Sequence, residues 1–240
     1  VRHPDFLGAD DMQVKIEELR EATDYKVPIF LKMGATRPRY DVAIAAKAGV
    51  DVIVVDGAEG GTGASPELLL DHTGIPLISS IRAAREALDD CGMSDEVSLV
   101  AAGGVRSGTD VAKCLALGAD AVMIGTAGLI ALGCNSPRYF DDYAVLGTTP
   151  GQCHHCHTGL CPVGVATQDP ELEKRVDVAA ASERVARFLT AMTMEVSLLA
   201  KACGKSNVHN LEVEDLRALS LEASAFTGVK LAGIDRPYNW

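Results

Sequence analysis

Short apolar segments recur along the first half of the chain at a nearly constant interval of 23 or 24 residues. Each has the length and composition of a β-strand, and segments with helical character lie between them, over 41–48, 81–89 and 110–117. The apolar segments cover 28–32, 51–56, 75–79, 98–102 and 121–124. This alternation predicts successive βα units, and the unbroken apolar character is typical of parallel strands covered on both faces.

Two architectures have this organisation, a doubly wound sheet and a (β/α)8 barrel, and the constant interval favours the barrel. A closed barrel has eight strands, and five alone would leave two unpaired edges. We therefore expect about three further βα units on the N-terminal side, in another chain or in a part of the protein that this sequence lacks. The predicted fold class is α/β, the C-terminal part of a TIM barrel.

The regular pattern ends at Cys134, and the residues that follow are irregular and polar. A long helix is predicted over 178–202, with apolar residues at helical spacing and Gly204 beyond its end, and a shorter helix over 213–219. The chain is thus predicted to have three parts: a barrel portion over 1–134, a cysteine-rich loop over 135–170 and a helical extension over 171–240.

The chain is acidic, with 22 Lys and Arg against 33 Asp and Glu and a formal net charge of −11. Such a chain repels phosphate backbones, which argues against general nucleic-acid binding. No apolar run approaches the ~20 residues that a membrane helix needs. The N-terminus also lacks a signal-peptide pattern, so we expect a cytoplasmic protein with neither nucleic acid nor membrane as a partner.

Two glycine-containing turns follow consecutive predicted strands. The sequence GGVRSGTD starts at Gly103 and leads into a helix, and the next strand ends in GTA at Gly125. Glycines allow close approach of the backbone to a ligand, and N–H groups at a helix N-terminus bind phosphate. The two turns together predict a phosphate cradle, at the position of the last two βα loops of many barrels. The simpler interpretation is that the glycines only allow tight turns.

A second glycine-rich loop, GAEGGTGASP over 57–66, follows the strand that ends at Asp56. Backbone amides in such a loop can hold a carboxylate or line a flat cofactor ring. The alternative is a flexible lid without a ligand.

Lys32 ends the first predicted strand, at the edge where a barrel has its active site. It could hold an anionic substrate, protonate a developing group or stabilise the negative charge of a reduced flavin. The alternative is an ion pair with Asp56 or Glu59 and no further role.

The seven cysteines are unevenly distributed. Three lie in helix-like stretches and are interpreted as small buried apolar residues, namely Cys91, Cys114 and Cys203. The others include the segment CHHCHTGLCP, and such clustering in an intracellular protein favours a metal or cluster site over disulfides. The trailing Cys-Pro favours iron–sulfur, with zinc bound by three cysteines and one histidine as the rival and free thiols as a further alternative. The cysteines of this group are Cys134, Cys153, Cys156 and Cys161, and the histidines are His154, His155 and His157.

Three stretches together resemble the synthase domain of the glutamate synthase large subunit, and most closely its shorter stand-alone prokaryotic relatives. They are GGTGASP from Gly60, GGVRSGTDVAKCLALGADAVMIGTAGLIALGC from Gly103 and CHTGLCPVGVATQDPEL from Cys156. The resemblance is strong from His3 to Val165 and looser through the helical tail. The G-G-x-R-x-G-x-D-V pattern alone is shared by several FMN barrels, including hydroxyacid oxidases and inosinate dehydrogenases, but its combination with GGTGASP and CPVG is not.

The resemblance implies a (β/α)8 barrel that binds FMN and a [3Fe–4S] cluster. Ammonia would condense with 2-oxoglutarate to an imine, which hydride transfer from reduced FMN would convert to glutamate. Electrons would come through the cluster from a reductase subunit or ferredoxin. Nitrogen would come from glutamine through an amidotransferase subunit, or from ammonia in solution.

The resemblance also implies roles for the residues that match its motifs. Lys32 is the expected catalytic residue, close to flavin and substrate. The expected substrate site consists of Gly60, Gly61, Thr62 and Ser65. The expected FMN site consists of Lys32, Gly103, Gly104, Arg106, Gly125 and Thr126.

The cluster ligands implied by the resemblance are Cys134, Cys156 and Cys161. About twenty residues separate the first two, a much longer interval than in the family. Cys153 is an extra thiol in this insertion, which could complete a four-cysteine [4Fe–4S] site or displace Cys134. Two other functions stay open, a related FMN enzyme such as N-methylglutamate synthase and a non-catalytic electron-transfer subunit.

Overall fold

One parallel sheet organises the fold. The computed structural model describes residues 4–5, 7–61 and 65–234. Its strands are β1 (Phe30–Gly34), β2 (Val52–Asp56), β3 (Ser98–Ala102) and β4 (Ala121–Met123). They lie in the order β1-β2-β3-β4, each parallel to the next. Neighbours in the sheet are therefore neighbours along the chain, which confirms the predicted α/β class.

Ten α-helices in the described residues connect and cover these strands. They are α1 (Ala9–Ala22), α2 (Pro38–Lys47), α3 (Glu67–His72), α4 (Leu77–Cys91), α5 (Gly108–Ala116), α6 (Thr126–Leu132), α7 (Phe140–Val145), α8 (Pro170–Glu173), α9 (Val178–Ala202) and α10 (Leu221–Thr227). The predicted long helix is confirmed as α9. The Asp177 side chain accepts a hydrogen bond from the Ala180 N–H at its start, and Gly204, with a φ of +74°, follows its end.

The predicted strand over 75–79 is wrong, because α4 begins at Leu77. Apolar residues repeat at helical spacing through Leu77, Ile81, Ala84 and Leu88, and all four are buried. Both α3 and α4 therefore lie between β2 and β3, and the regular interval of apolar segments is not a repeat of one βα unit.

The two faces of the sheet have different surroundings. Ile53 and Leu99 lie on the face that packs against helices and belong to the largest apolar cluster. The opposite face carries a smaller cluster around Val54, while Phe30 and Met123 on that face are 58% and 41% exposed. Within the described residues, helices therefore cover only one face. The opposite face, here called the uncovered face, buries its central residues Val54, Val100 and Ala102 but leaves its edge strands exposed.

The C-terminal helices pack on the sheet layer. α9 packs against α5 and α6, and Val196 belongs to an apolar cluster with Leu115. The predicted helix over 213–219 is wrong, because a short 3-10 helix covers Val213–Asp215 and α10 starts only after Ser220, which caps it. The division of the chain into three parts stays a prediction. No helix in the described residues combines the length and the apolar character needed to cross a membrane.

Candidate functional site

The carboxyl ends of β1, β2 and β3 meet around Asp56. The Lys32 ammonium lies 3.0 Å from an Asp56 carboxylate oxygen. The same carboxylate lies directly beside Gly60 and Gly103, since a Cβ atom on either glycine would collide with its Oδ1. The structure therefore brings three predicted site residues together around one carboxylate.

Lys32 lies on the uncovered face of the sheet, opposite Val54 of the neighbouring strand. Its side chain is 53% exposed, whereas that of Asp56 is 16% exposed. A lysine ammonium has three N–H donors, so the pair with Asp56 leaves donors for a ligand. The ion pair considered as the alternative role of Lys32 is thus formed, and it still leaves Lys32 able to bind an anion.

Gly103 and Gly104 form a turn that requires glycine. Both have left-handed backbones, with φ of +103° and +71°. A Cβ atom on Gly104 would lie 2.8 Å from Glu59 Cβ, and one on Gly103 would lie 2.9 Å from the Gly57 nitrogen. The loops after β2 and β3 are therefore packed closely against each other.

Among the described residues at the start of α5, only the Thr109 N–H remains free in the way that the sequence predicted for binding a phosphate. The N–H groups of Arg106 and Ser107 donate to the Asp110 carboxylate at 3.0 and 3.1 Å. The Gly108 N–H donates at 2.7 Å to the carboxylate of Glu195, which reaches it from α9. These donors are satisfied within the protein, so a phosphate would have to bind elsewhere on the two turns.

Other N–H groups at the ends of β3 and β4 are available. Within the described part of the chain, those of Gly103, Gly104, Gly125 and Thr126 donate no hydrogen bond. The two turns are adjacent because β3 and β4 pair. The Arg106 guanidinium is exposed and forms no ion pair with the described residues. Adjacent free N–H groups and an unpaired guanidinium fit a phosphate group.

The loop after β2 is only partly described. Thr62, a predicted substrate residue, lies outside the described residues. Gly61 and Ser65 are exposed, and the Ser65 N–H donates to the Gly61 carbonyl at 3.4 Å. Glu59 joins the start of this loop to α4, since its carboxylate accepts a hydrogen bond from the Leu77 N–H at 3.0 Å.

Cys134 directly follows α6 and is held by local contacts. Its N–H donates to the Leu129 carbonyl at 2.9 Å, and the buried Tyr143 hydroxyl donates to its carbonyl. Arg184 of α9 donates to the Leu132 carbonyl at 2.8 Å and so fixes the end of α6. Because α6 starts at the second of the two turns, it joins that turn to Cys134 over a rise of about 10 Å.

The four clustered cysteines lie close enough to affect one another. Burial raises the pKa of the Cys134 thiol, and the other three thiols raise it further. Burial also raises the pKa of Cys156, with further contributions from Cys153 and Cys161. Cys161 is buried and belongs to an apolar cluster with Tyr143, against which Cys153 packs. Thiols that disfavour one another's ionisation fit a cationic metal or cluster, which binds and stabilises thiolates.

These cysteines lie near one another, but in the described residues they do not surround a position that one metal ion could occupy. Within the described residues, no three His, Cys, Asp or Glu side chains are arranged to hold a single metal ion. A zinc ion would draw its ligand atoms to within about 2.3 Å of itself, whereas the thiolates of a cluster bind separate irons. The arrangement thus gives no support to the zinc alternative. The assignment of Cys134, Cys156 and Cys161 to an iron–sulfur cluster stays a prediction.

The remaining cysteines differ in burial. Cys114 is buried as expected, Cys91 is partly buried and Cys203 is exposed. The expectation is therefore wrong for Cys203, because this residue caps the C-terminus of α9 beyond the packed part of the helix.

Several residues that contact the site residues were not among those predicted from the sequence. Asp56 and Glu59 belong to the motif at the end of β2, so their position at the strand edge was visible in the sequence. Glu195 and Tyr143 come from α9 and from the insertion, and no local sequence signal connects them to the site.

A family model described as a conserved region in glutamate synthase matches residues 1–206. The chain belongs to the glutamate synthase family. This membership confirms the resemblance carried by the glycine-rich and CPVG motifs.

The curated relatives are longer than this chain. A glutamate synthase large subunit-like protein of Rhizobium meliloti is 53% identical over 97% of this chain and 52% of its own length. An archaeal glutamate synthase (NADPH) of Methanocaldococcus jannaschii is 38% identical over 96% of this chain and 43% of its own length. The chain thus spans about half the length of the curated relatives it matches.

Two solved structures of flavocytochrome b2, one with benzoylformate and one with pyruvate, resemble the fold. Their TM-scores are 0.52 and 0.51, both at 22% identity, and each match covers 83% of this chain and 36% of the other. At this identity the likeness concerns the fold alone. It confirms the predicted partial TIM barrel, in which the uncovered face of the sheet corresponds to the interior of a closed barrel.

Proposed function

We propose that this member of the glutamate synthase family contributes the FMN and iron–sulfur part of an oxidoreductase that makes glutamate from 2-oxoglutarate by reductive amination. The observation that carries the proposal is the meeting of Lys32, Gly60 and Gly103 around Asp56. It lies at the strand edge where barrel enzymes have their active sites. Family membership supplies the class of reaction, and this edge supplies charged and backbone groups suited to it.

The phosphate of FMN would bind at the adjacent turns after β3 and β4. The free N–H groups of Gly104 and Thr126 would donate to its oxygens, and the Arg106 guanidinium would add charge-assisted hydrogen bonds. When bound, FMN supplies hydride transfer and the iron–sulfur cluster supplies one-electron transfer. The cluster would be held by Cys134, which follows the helix that starts at Thr126, together with Cys156 and Cys161.

Lys32 would hold the anionic substrate. Asp56 accepts one N–H of its ammonium and thereby orients the group, while the remaining N–H groups can bind a substrate carboxylate. The same Nζ can supply a proton to the substrate. Gly61 and Ser65 are exposed on the neighbouring loop and offer further polar groups, and Thr62 belongs to the same motif.

The proposed reaction needs partners. A reductase subunit or ferredoxin would supply electrons, and an amidotransferase subunit or dissolved ammonia would supply nitrogen. We also propose that the protein carries out this reaction in the cytoplasm.

Anaerobic reoxidation of the flavin tests this function. The holoprotein is purified, its FMN and iron are measured, and its flavin is reduced. We expect the absorbance of oxidised flavin to return only when 2-oxoglutarate and ammonium are both added, with formation of glutamate. Reoxidation that does not depend on 2-oxoglutarate contradicts the reaction, and a holoprotein without FMN contradicts the cofactor assignment.

A matched pair of variants tests the proposed phosphate site. Arg106→Gln removes the unpaired guanidinium, and we expect FMN to dissociate on the order of 10-fold more readily. Arg187→Gln removes an exposed guanidinium that pairs with Glu183 on α9, and it should leave FMN binding unchanged. Equal FMN affinity in the two variants contradicts a phosphate-binding role for Arg106.

A further inference from the structure

The residues between Cys134 and Cys156, called the insertion here, carry a fourth thiol, Cys153, close to the cysteines predicted as cluster ligands. The insertion folds through a short 3-10 helix and α7 and reaches Cys153 just before the next predicted ligand. Cys153 is partly buried and packs against the apolar cluster that contains Tyr143 and Cys161. The insertion therefore does not extend away from the site, but covers it with its own residues.

Contacts at both ends fix the insertion on the site. The Tyr143 hydroxyl donates to the Cys134 carbonyl at one end. Arg175 pairs with Asp142 of α7 at 3.1 Å and donates to the Pro162 carbonyl at 2.7 Å, so it links α7 to the CPVG segment. These contacts hold the insertion that carries Cys153 against the segments that contain Cys134 and Cys161.

A hydrogen bond to the end of α7 also fixes the turn that carries Cys153. The His155 ring nitrogen Nε2 hydrogen-bonds with the Leu146 carbonyl at 3.1 Å, which joins the end of α7 to the residues after Cys153. Packing therefore places Cys153 against the apolar cluster that contains Cys161, one of the three predicted ligands.

We propose that Cys153 is a fourth thiolate ligand, so that this chain holds a [4Fe–4S] cluster instead of a [3Fe–4S] cluster. The inference rests on the proposed function, in which the chain binds an iron–sulfur cluster. Four thiolates give each iron of a [4Fe–4S] cluster one protein ligand. With only three protein thiolates, one iron of such a cluster would have no thiolate ligand from the protein. The spacing of Cys153 and Cys156, with two residues between them, is also common among cluster ligands.

Iron analysis and electron paramagnetic resonance (EPR) of the anaerobically purified holoprotein test this inference. For the wild type we expect equal amounts of iron and acid-labile sulfide, no EPR signal when oxidised and a signal after reduction. For Cys153→Ala we expect one iron fewer and an EPR signal in the oxidised state, as a three-iron cluster gives. Cys203→Ala, at an exposed cysteine outside the site, should behave as the wild type.

The outcomes separate the inference from the proposed function. A wild type with a three-iron cluster, unchanged by Cys153→Ala, overturns the role of Cys153 and leaves the cluster proposal intact. A wild type without iron overturns the cluster proposal itself.

Cys153→Ser keeps the size of the side chain and offers an oxygen ligand. An altered EPR spectrum of its reduced state at unchanged iron content supports ligation, and a spectrum identical to the wild type overturns it.

Discussion

The Lys32 ammonium lies 3.0 Å from the Asp56 carboxylate and joins the middle of β1 to the carboxyl end of β2. Asp56 is the more buried partner and also lies against the glycine loops that follow β2 and β3. One carboxylate therefore fixes the position of the lysine relative to both loops. Because Lys32 stays half-exposed on the uncovered face, the pair orients its charge without neutralising the whole site.

Lys32→Gln should lower kcat/KM for 2-oxoglutarate by about 10²-fold or more, because it removes both a carboxylate-binding charge and a proton donor. Asp56→Asn leaves Lys32 in place but removes its orienting partner, so we expect a smaller loss. The double variant should lose less than the two single losses combined, since the residues act as a pair. Steady-state kinetics measure all three.

Lys174→Gln is the matched control, because Lys174 forms an exposed ion pair with Glu171 on α8. It should leave kcat/KM unchanged. Full activity of Lys32→Gln would show that the ion pair has only a structural role.

Gly104→Ala should destabilise the protein by about 1–3 kcal/mol. Alanine is strained at the left-handed backbone of this turn, and its Cβ would lie 2.8 Å from Glu59 Cβ. Gly34→Ala is the control, since nothing lies within 4 Å of the added methyl group and the backbone is not left-handed. Chemical denaturation measures both. Equal stability of the two variants would show that the loops after β2 and β3 are not closely packed.

Most of the regular elements were predictable because their signals are local. α9 combines helical spacing with the Asp177 cap and a following glycine, and its predicted bounds agree with the structure. The segment over 75–79 shows the limit, because a short apolar run is compatible with a strand or a buried helix. The Glu59 carboxylate at the start of α4 comes from a distant loop and favours the helix.

The sequence predicted those site residues that lie at the carboxyl ends of predicted strands. Gly60 and Gly103 follow directly from the rule that barrel active sites lie at the carboxyl ends of strands. Lys32 was predicted to end its strand, but it lies in the middle of β1, which continues to Gly34. The use of the α5 N-terminus was not predictable, since Glu195 lies 87 residues from Gly108 along the chain. The contribution of the insertion depends likewise on tertiary contacts, such as that of Tyr143 with Cys134.

Glu195→Ala should destabilise the protein by about 1 kcal/mol, because it leaves the Gly108 N–H without its acceptor at the positive end of α5. Glu195→Gln retains an acceptor oxygen and should lose less. Glu183→Ala removes an exposed pair with Arg187 on the same helix and serves as control, with a change near zero. Thermal unfolding distinguishes them. Identical losses in the two Glu195 variants would contradict a hydrogen-bonding role.

Cys114 should make stability fall at alkaline pH. Burial raises the pKa of its thiol to about 12, and the carboxylates of Asp110 and Glu59 contribute. In the unfolded chain a cysteine loses its proton near pH 8.5, so above that pH the unfolded state binds fewer protons than the folded state. The stabilisation is fully present below about pH 8.5 and is lost as the pH rises towards 12, by up to about 1.4 kcal/mol per pH unit.

The change of the free energy of unfolding with pH isolates the effect of the Cys114 thiol, whereas the stability at a single pH does not. Cys114→Ala changes packing equally at every pH, so its free energy of unfolding should fall less steeply than that of the wild type between about pH 9 and pH 11. Cys203→Ala removes an exposed thiol and should keep the wild-type slope. Parallel curves for the wild type and Cys114→Ala would mean that the Cys114 thiol ionises as readily in the folded protein as in the unfolded chain. That result is incompatible with the burial of Cys114 on the packed face of α5.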